Sequence, residues 1–289
     1  MPALAAGALR VLVTRPAHDA QHWVRQLQQG GFDARALPLI EIAPVTTAMD
    51  LAKLAQARQS LASYDALMFV SANAVTHFFQ QKKAVAQYPQ AQAAMNNVAL
   101  PAALRFLAPG PGTRAALLAA GVCASQIDAP PADAPQFDSE SLWQVVGQNL
   151  WSGRRVLVVR GQSRAAAGRG QASAGRDWLA RQWQAAGAVV EELSVYERCP
   201  PSFSAAQLGM VQAGAADGSV WLFSSSEALA NLLDLPGGHG VDWRLARAVA
   251  THPRIEASVR AAGWGVVLAS RPALAEIMAC LRSIESAYP

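Results

Sequence analysis

Two distant stretches of this chain spell the same structural phrase. ALMFVSANAVTHFF (Ala66–Phe79) and SVWLFSSSEALANLL (Ser219–Leu233) each run from an apolar strand through three small residues into an amphipathic helix. Ser71, Ala72 and Asn73 stand at the first junction, and Ser224, Ser225 and Ser226 at the second. Three further phrases are also written twice. RVLVTRP (Arg10–Pro16) and RRVLVVRG (Arg154–Gly161) are β-branched runs that read as buried strands. Each is followed by a helix that ends at a glycine, Gly30 or Gly187, and then by a long extended segment, FDARALPLIEIAP (Phe32–Pro44) or AVVEELSVYERCPP (Ala188–Pro201). RFLAPGPGTRAALLAAGV (Arg105–Val122) pairs with RAVATHPRIEASVRAAGW (Arg247–Trp264), each a strand, a proline-bearing turn and a helix. The helices DSESLWQVVGQNL (Asp138–Leu150) and RPALAEIMACLRSI (Arg271–Ile284) close the halves. Strands that alternate with helices in this way predict an α/β fold of two doubly wound parallel-sheet domains related by internal duplication.

The long extended segments set the expected domain boundaries. Pro38 confines the first to a sheet edge or a connector. At about 3.3 Å per residue, both outrun an ordinary strand. The economical arrangement pairs them as a two-stranded β connector over residues 37–46 and 190–200. Domain 1 would then be discontinuous, 1–36 with 201–289, and domain 2 would span 47–189.

Composition narrows the function classes. At 289 residues, 52% hydrophobic and 15% charged, the chain can bury a large core. Its net charge of +4 favours anionic partners. No Lys/Arg run or basic–aromatic interleaving is present, which argues against nucleic acid. Cys123, Cys199 and Cys280 form neither a CxxC nor a disulfide framework, so we expect buried or half-buried thiols in a reducing cytoplasm. MPALAAGALR lacks the basic start of a signal peptide, and no apolar run is long enough to span a membrane.

Open parallel sheets bind ligands outside the carboxyl ends of their strands. The candidates there are Thr14, Arg15, Ser71, Ala72, Asn73, Gly110, Thr113, Arg160, Gly161, Ser224, Ser225, Ser226, Thr251 and Arg254. Part of this pattern is helix capping: Ser71 and Asn73 are suited to it, and Ser224 with Glu227 spells a capping box. Collectively, helix N-termini with free backbone N–H groups suit a ligand with several separate anionic groups. GPGTRA (Gly110–Ala115) fits a dinucleotide fingerprint, but Pro111 stiffens its turn and its repeat partner has no glycines. GQSRAAAGRGQASAG (Gly161–Gly175), with Arg164 and Arg169, reads as a flexible loop or a basic lid. His18 and His22 share a helix face without an evident third metal ligand, and Asp19, Glu41, Asp65 and Glu191 are candidates by type alone. On these residues a ligand-closing binding protein and a nucleotide-dependent oxidoreductase or transferase remain open alternatives.

Over nearly its full length the chain resembles the uroporphyrinogen-III synthase family. The resemblance rests on VLVTRP with LPLIEIAP, FVSANAV, APGPGTRAALLAAG, FDSESLW, VLVVRG with LSVYER, WLFSSSEAL and ATHPRI, in that order. It implies two α/β domains, a two-stranded connector and a ligand in the cleft between them. It also implies that hydroxymethylbilane, a linear tetrapyrrole with eight carboxylates, loses water and closes with its last ring inverted, giving uroporphyrinogen III. No metal or organic cofactor is implied. Tyr196, in SVYER, matches the family tyrosine and is the expected proton donor to the leaving hydroxyl. A cytoplasmic monomer in transient contact with hydroxymethylbilane synthase is the corresponding expectation. The chain departs from the family at Thr251–Arg254, where THPR replaces Gly-x-x-Thr, so Thr251 or Arg254 would meet a carboxylate there. The Gly/Ala/Ser-rich loop is also longer than usual.

Overall fold

A computed structural model describes residues 7–79, 100–164, 174–235 and 240–288, with the side chains of 174–177 left aside. The chain divides into two compact units, Met1–Glu41 with Cys199–Pro289, and Ile42–Arg198.

The first unit holds β1 (Arg10–Val13), α1 (Ala17–Gln29) and β2 (Asp33–Ala36) from the start of the chain. Its sheet is completed from the other end by β9 (Val220–Phe223), β10 (Arg247–Ala250) and β11 (Val266–Ala269), in the order β11-β10-β9-β1-β2. All four neighbouring pairs are parallel, with Val11 opposite both Ala34 and Val220. Alternate residues serve opposite faces, and helices cover both, which is why β9 and β11 are apolar at every position and β1 from Val11 to Val13. Val11, Val13, Val220, Leu222 and Val249 pack with Leu27 of α1 and with Ile277 and Leu281 of α10 (Leu274–Ala287). On the other face Trp221 meets Trp243 and Trp264 edge-on, and those two rings stack 4.2 Å apart.

The second unit is built from β3 (Glu41–Pro44), α2 (Ala48–Gln59), β4 (Ala66–Phe69), α3 (Ala72–Phe79), β5 (Arg105–Leu107), α4 (Pro111–Ala119) and β6 (Ile127–Asp128). After these come α5 (Ser139–Val146), β7 (Arg155–Ser163), α6 (Ala174–Ala185) and β8 (Val189–Cys199). The sheet order is β3-β8-β7-β4-β5-β6. β7 and β8 pair in parallel from Arg155↔Val189 to Ser163↔Arg198, with one slip: Arg160 faces Ser194, but Gly161 faces Tyr196. This bulge matters for the site below.

The structure corrects the reading of Phe32–Pro44 as one long extended element. It is two short strands in different sheets, β2 at the edge of the first and β3 at the edge of the second. Between them Leu37, Leu39 and Ile40 are buried, Leu39 N–H donates to Thr14 O, and Asn231 Nδ2 donates to Leu39 O. These backbone groups are satisfied without a ladder, and Pro38 has no N–H to give one. Of that segment only the four residues of β3 lie in the sheet beside β8.

The cysteines also need correcting. All three are free, but Cys123 is exposed, because it lies on the loop that follows the end of α4, whereas Cys199 and Cys280 are half-buried. Among the described residues no helix is long and apolar enough to cross a membrane.

Candidate active site

In the second unit, residues far apart in sequence converge at the ends of β4, β7 and β8. Ser71 caps α3, its Oγ accepting from Ala74 N–H at 3.2 Å. The same Oγ lies 3.1 Å from the Tyr196 hydroxyl. Tyr196 is 3% exposed and belongs to the core of this unit. Its ring lies on Gly161: a Cβ there would sit 2.8 Å from Cδ2 and closer still to Cε2 and Cζ. Glycine is therefore required by close approach, and the bulge after Arg160 sets that approach. The His77 ring is 5.5 Å from that of Tyr196, tilted by 32°. Burial pushes the His77 pKa below its ordinary value and so favours the neutral imidazole.

The other candidates in this unit take different parts. Ala72 opens α3, and Asn73 lies inside the helix rather than capping it. Gly110 precedes α4 in an extended conformation, and Thr113 is buried. The fingerprint phrase does open a helix after a strand. Pro111, however, occupies a first-turn position and removes one of the N–H donors that a pyrophosphate cradle needs. Arg160 is paired with Glu192 of β8 at 2.7 Å. Of the basic-loop motif, Gly161–Ser163 belong to β7 and Arg164 lies 4.0 Å from Glu197, while Ala165–Ser173, including Arg169, fall outside the described residues.

The first unit presents its own set at the ends of β1, β9 and β10. Thr14 is 1% exposed and its hydroxyl donates to Leu222 O at 2.7 Å, so it joins two strands. Arg15 follows it with its guanidinium 4.5 Å over the Trp23 ring. The Arg15 Nε is buried and, among the described residues, has no hydrogen-bond partner. Burial lowers the Arg15 pKa, and the nearby Asp19 charge opposes the shift. Such a group is primed for an external anion.

The cap of the helix after β9, α8 (Ser226–Leu233), is Ser225, whose Oγ accepts from Glu227 N–H at 3.2 Å. This corrects the capping box expected of Ser224 with Glu227, since the helix begins one residue later than that motif requires. A true capping box joins Ser204 and Gln207 ahead of α7 (Ala205–Ala213). Thr251 is 5% exposed, and its N–H donates to Phe223 O. The cap of α9 (Pro253–Ala261) is His252, with Nδ1 accepting from Arg254 N–H at 3.0 Å. Arg254 is exposed on the first turn. His18 and His22 gain no further ligands: among the described residues no group of three or more His, Cys, Asp or Glu is placed to hold a metal.

His77, Trp23 and His252 escape the sequence reading. Each is an ordinary helical or cap residue in its own segment, and only the tertiary fold shows what it faces.

Parallel α/β units with capped helices and a buried phenol at the strand ends define the class: doubly wound α/β proteins that hold a small ligand at the carboxyl edge of the sheet. The chain belongs to the uroporphyrinogen-III synthase HemD family, whose model matches residues 21–279. Uroporphyrinogen-III synthase of Synechococcus elongatus is 29% identical over 236 residues, covering 81% of this chain and 77% of that protein. Among solved structures, a selenomethionine variant of Thermus thermophilus uroporphyrinogen III synthase is similar over 97% of this chain and all of its own, with TM-score 0.53 and 15% identity. Uroporphyrinogen-III synthetase of Helicobacter pylori covers 96% of this chain and all of its own, with TM-score 0.51 and 14% identity.

Proposed function

We propose that this chain, as a uroporphyrinogen-III synthase of tetrapyrrole biosynthesis, closes hydroxymethylbilane with inversion of the last ring, a cofactor-independent lyase reaction. The observation that carries the mechanism is the Ser71–Tyr196 contact beside Gly161. Ser71 Oγ already accepts from Ala74 N–H, so its own hydrogen can turn to the phenol oxygen. The phenolic proton then points away from Ser71, toward a substrate hydroxyl. The C–O bond breaks, the leaving hydroxyl departs as water with the Tyr196 proton, and the pyrrole nitrogen electrons stabilise the carbon left behind. That carbon bonds to the substituted carbon of the last ring. The spiro intermediate breaks and recloses, and the ring proton lost on closure restores the phenol. Ser71 stabilises the phenolate in the interval.

Because pyrrole electrons drive the departure, the protein's main tasks are positioning and recognition of carboxylates. The groups suited to that recognition are Arg15, Arg254 and the N–H groups that open α8 and α9 in the first unit, and those that open α3 and α4 in the second. Thr113 and Thr251 support those helix starts from within, and Gly110, Ala72, Asn73, Ser224, Ser225 and Ser226 let the chain come close to the ligand. Arg160, held by Glu192, offers a guanidinium fixed in place for hydrogen bonding. The duplication, which supplies both lobes in one chain, supports a monomer, and the reading extends to a cytoplasmic enzyme in transient contact with hydroxymethylbilane synthase.

The 3% exposure of Tyr196 favours a second reading, in which its ring is a packed strut. Tyr196→Phe separates the two. Hydroxymethylbilane made by its synthase is added to the protein, and the oxidised porphyrin isomers are separated by chromatography. The donor reading expects kcat to fall roughly 100- to 10,000-fold, with isomer I accumulating. Full kcat in Tyr196→Phe overturns it.

A further inference from the structure

Arg58 lies near the end of α2, partly buried and, among the described residues, without a carboxylate partner. Its guanidinium is bound to the C-terminal end of α3. Nε donates to Phe78 O at 2.8 Å, and Nη2 donates to the same oxygen and to His77 O at 3.2 Å. Its Cζ stands 5.6 Å over the Phe78 ring. Backbone carbonyls at a helix C-terminus carry partial negative charge, and a planar fork suits two of them at once.

The helix that Arg58 grips is also the one that touches Tyr196. It does so twice, through the cap Ser71 at 3.1 Å and through the His77 ring at 5.5 Å. The described part of α3, Ala72–Phe79, is eight residues, and a stretch of that length owes its place to packing more than to its own helical stability. Its position depends on the groups that fasten it. Phe78 fastens it to the core by its side chain, and Arg58 does so by its backbone.

We propose that Arg58 is a positioning residue for Tyr196, acting through α3. Losing the fork frees the carbonyls of His77 and Phe78. The helix then shifts on the sheet, and Ser71 and His77 move relative to the phenol. The inference rests on Tyr196 as the proton donor.

The test is a double-mutant cycle of Arg58→Met, Arg58→Lys and Tyr196→Phe, read as kcat, KM and thermal midpoint. Arg58→Met keeps the apolar stem and should lower kcat roughly tenfold or more, with KM within about twofold. Arg58→Lys, which can still donate to one carbonyl, should recover part of the loss. In the Tyr196→Phe background, Arg58→Met should cost kcat nothing further. An unchanged kcat in Arg58→Met overturns the proposal, and so does an equal fold-loss in both backgrounds, which marks a general structural role. If Tyr196→Phe alone keeps full kcat, the donor reading fails and the proposal fails with it. If Arg58→Met does not fold, Arg58→Lys carries the cycle with the same two outcomes.

Discussion

Gly161→Ala tests whether the register slip between β7 and β8 serves the chemistry. Ordinary van der Waals contact begins near 3.4 Å, and the new methyl would lie 2.8 Å from Tyr196 Cδ2 and closer to Cε2 and Cζ. At 3% exposure the ring cannot swing into solvent, so it must retreat within a packed core. Overpacking of this kind costs about 1–3 kcal/mol. In a chain of this size that lowers the thermal midpoint by several degrees, on the order of 2–4 °C per kcal/mol. The hydroxyl moves with the ring, and a shift of about 1 Å in a reacting group costs roughly 100-fold in rate. The isomer assay should therefore show kcat down by about that factor and isomer III giving way to isomer I. The clash involves ring carbons that phenylalanine shares. In the Tyr196→Phe background the loss of stability should persist while the loss of kcat should not add. Gly161→Ala with wild-type melting and wild-type kcat would refute the argument from close approach. Reduced melting with full kcat would refute its link to the reaction.

Two other substitutions probe the remaining site. Arg15→Met keeps an unbranched apolar stem and removes the guanidinium that lies over Trp23; KM for hydroxymethylbilane should rise about 10- to 100-fold with kcat held, since a charged hydrogen bond is worth about 1.5–3 kcal/mol. Raising the salt concentration should weaken wild-type binding more than that of the variant. His77 has a depressed folded pKa because burial disfavours its charge, so below its ordinary value of 6.5 the unfolded chain binds more protons than the folded one. Its contribution to stability is complete above that pH and is lost as pH falls below it. Chemical melts between about pH 5 and 7 should therefore show stability falling with acid, less steeply in His77→Asn, and equal slopes in the two proteins would refute the assignment.

Much of the architecture is legible in the sequence because buried parallel strands leave a strong mark. Val11–Val13 and Val220–Phe223 are apolar at every position, and a helix follows each. The segment Phe32–Pro44 misleads because an extended, proline-bearing run looks the same whether it lies in one sheet or passes between two. What decides it is the partner of Leu39, and Asn231 is remote in the chain. Caps are legible as a type but not to the residue: Ser224, Ser225 and Ser226 are chemically alike, and only the point where the backbone turns helical selects Ser225. The site is less legible still. Tyr196 enters through resemblance, since a strand residue bears no sign of becoming an acid. His77 and Arg58 sit on helices whose periodicity reports which side is buried, but not that α3 will rest against a tyrosine of β8. Gly161 reads as a loop-forming glycine, whereas it makes room for a ring brought there by a register slip that no residue spells.

The chain passes into its second unit after Glu41 and re-enters its first at Cys199, and this sets the order of assembly during synthesis. Ile42–Arg198 is one unbroken stretch and can condense as soon as it has emerged. The first unit cannot. β1 is an interior strand, and its neighbour β9 lies more than 200 residues later, as in the pairing of Leu12 with Trp221. Until that partner is made, Val11, Leu12 and Val13 offer an open apolar edge to any other chain. The nascent protein therefore carries β1 without that neighbour until more than 200 further residues have been made. The loop closure that buries it is the slow, long-range kind.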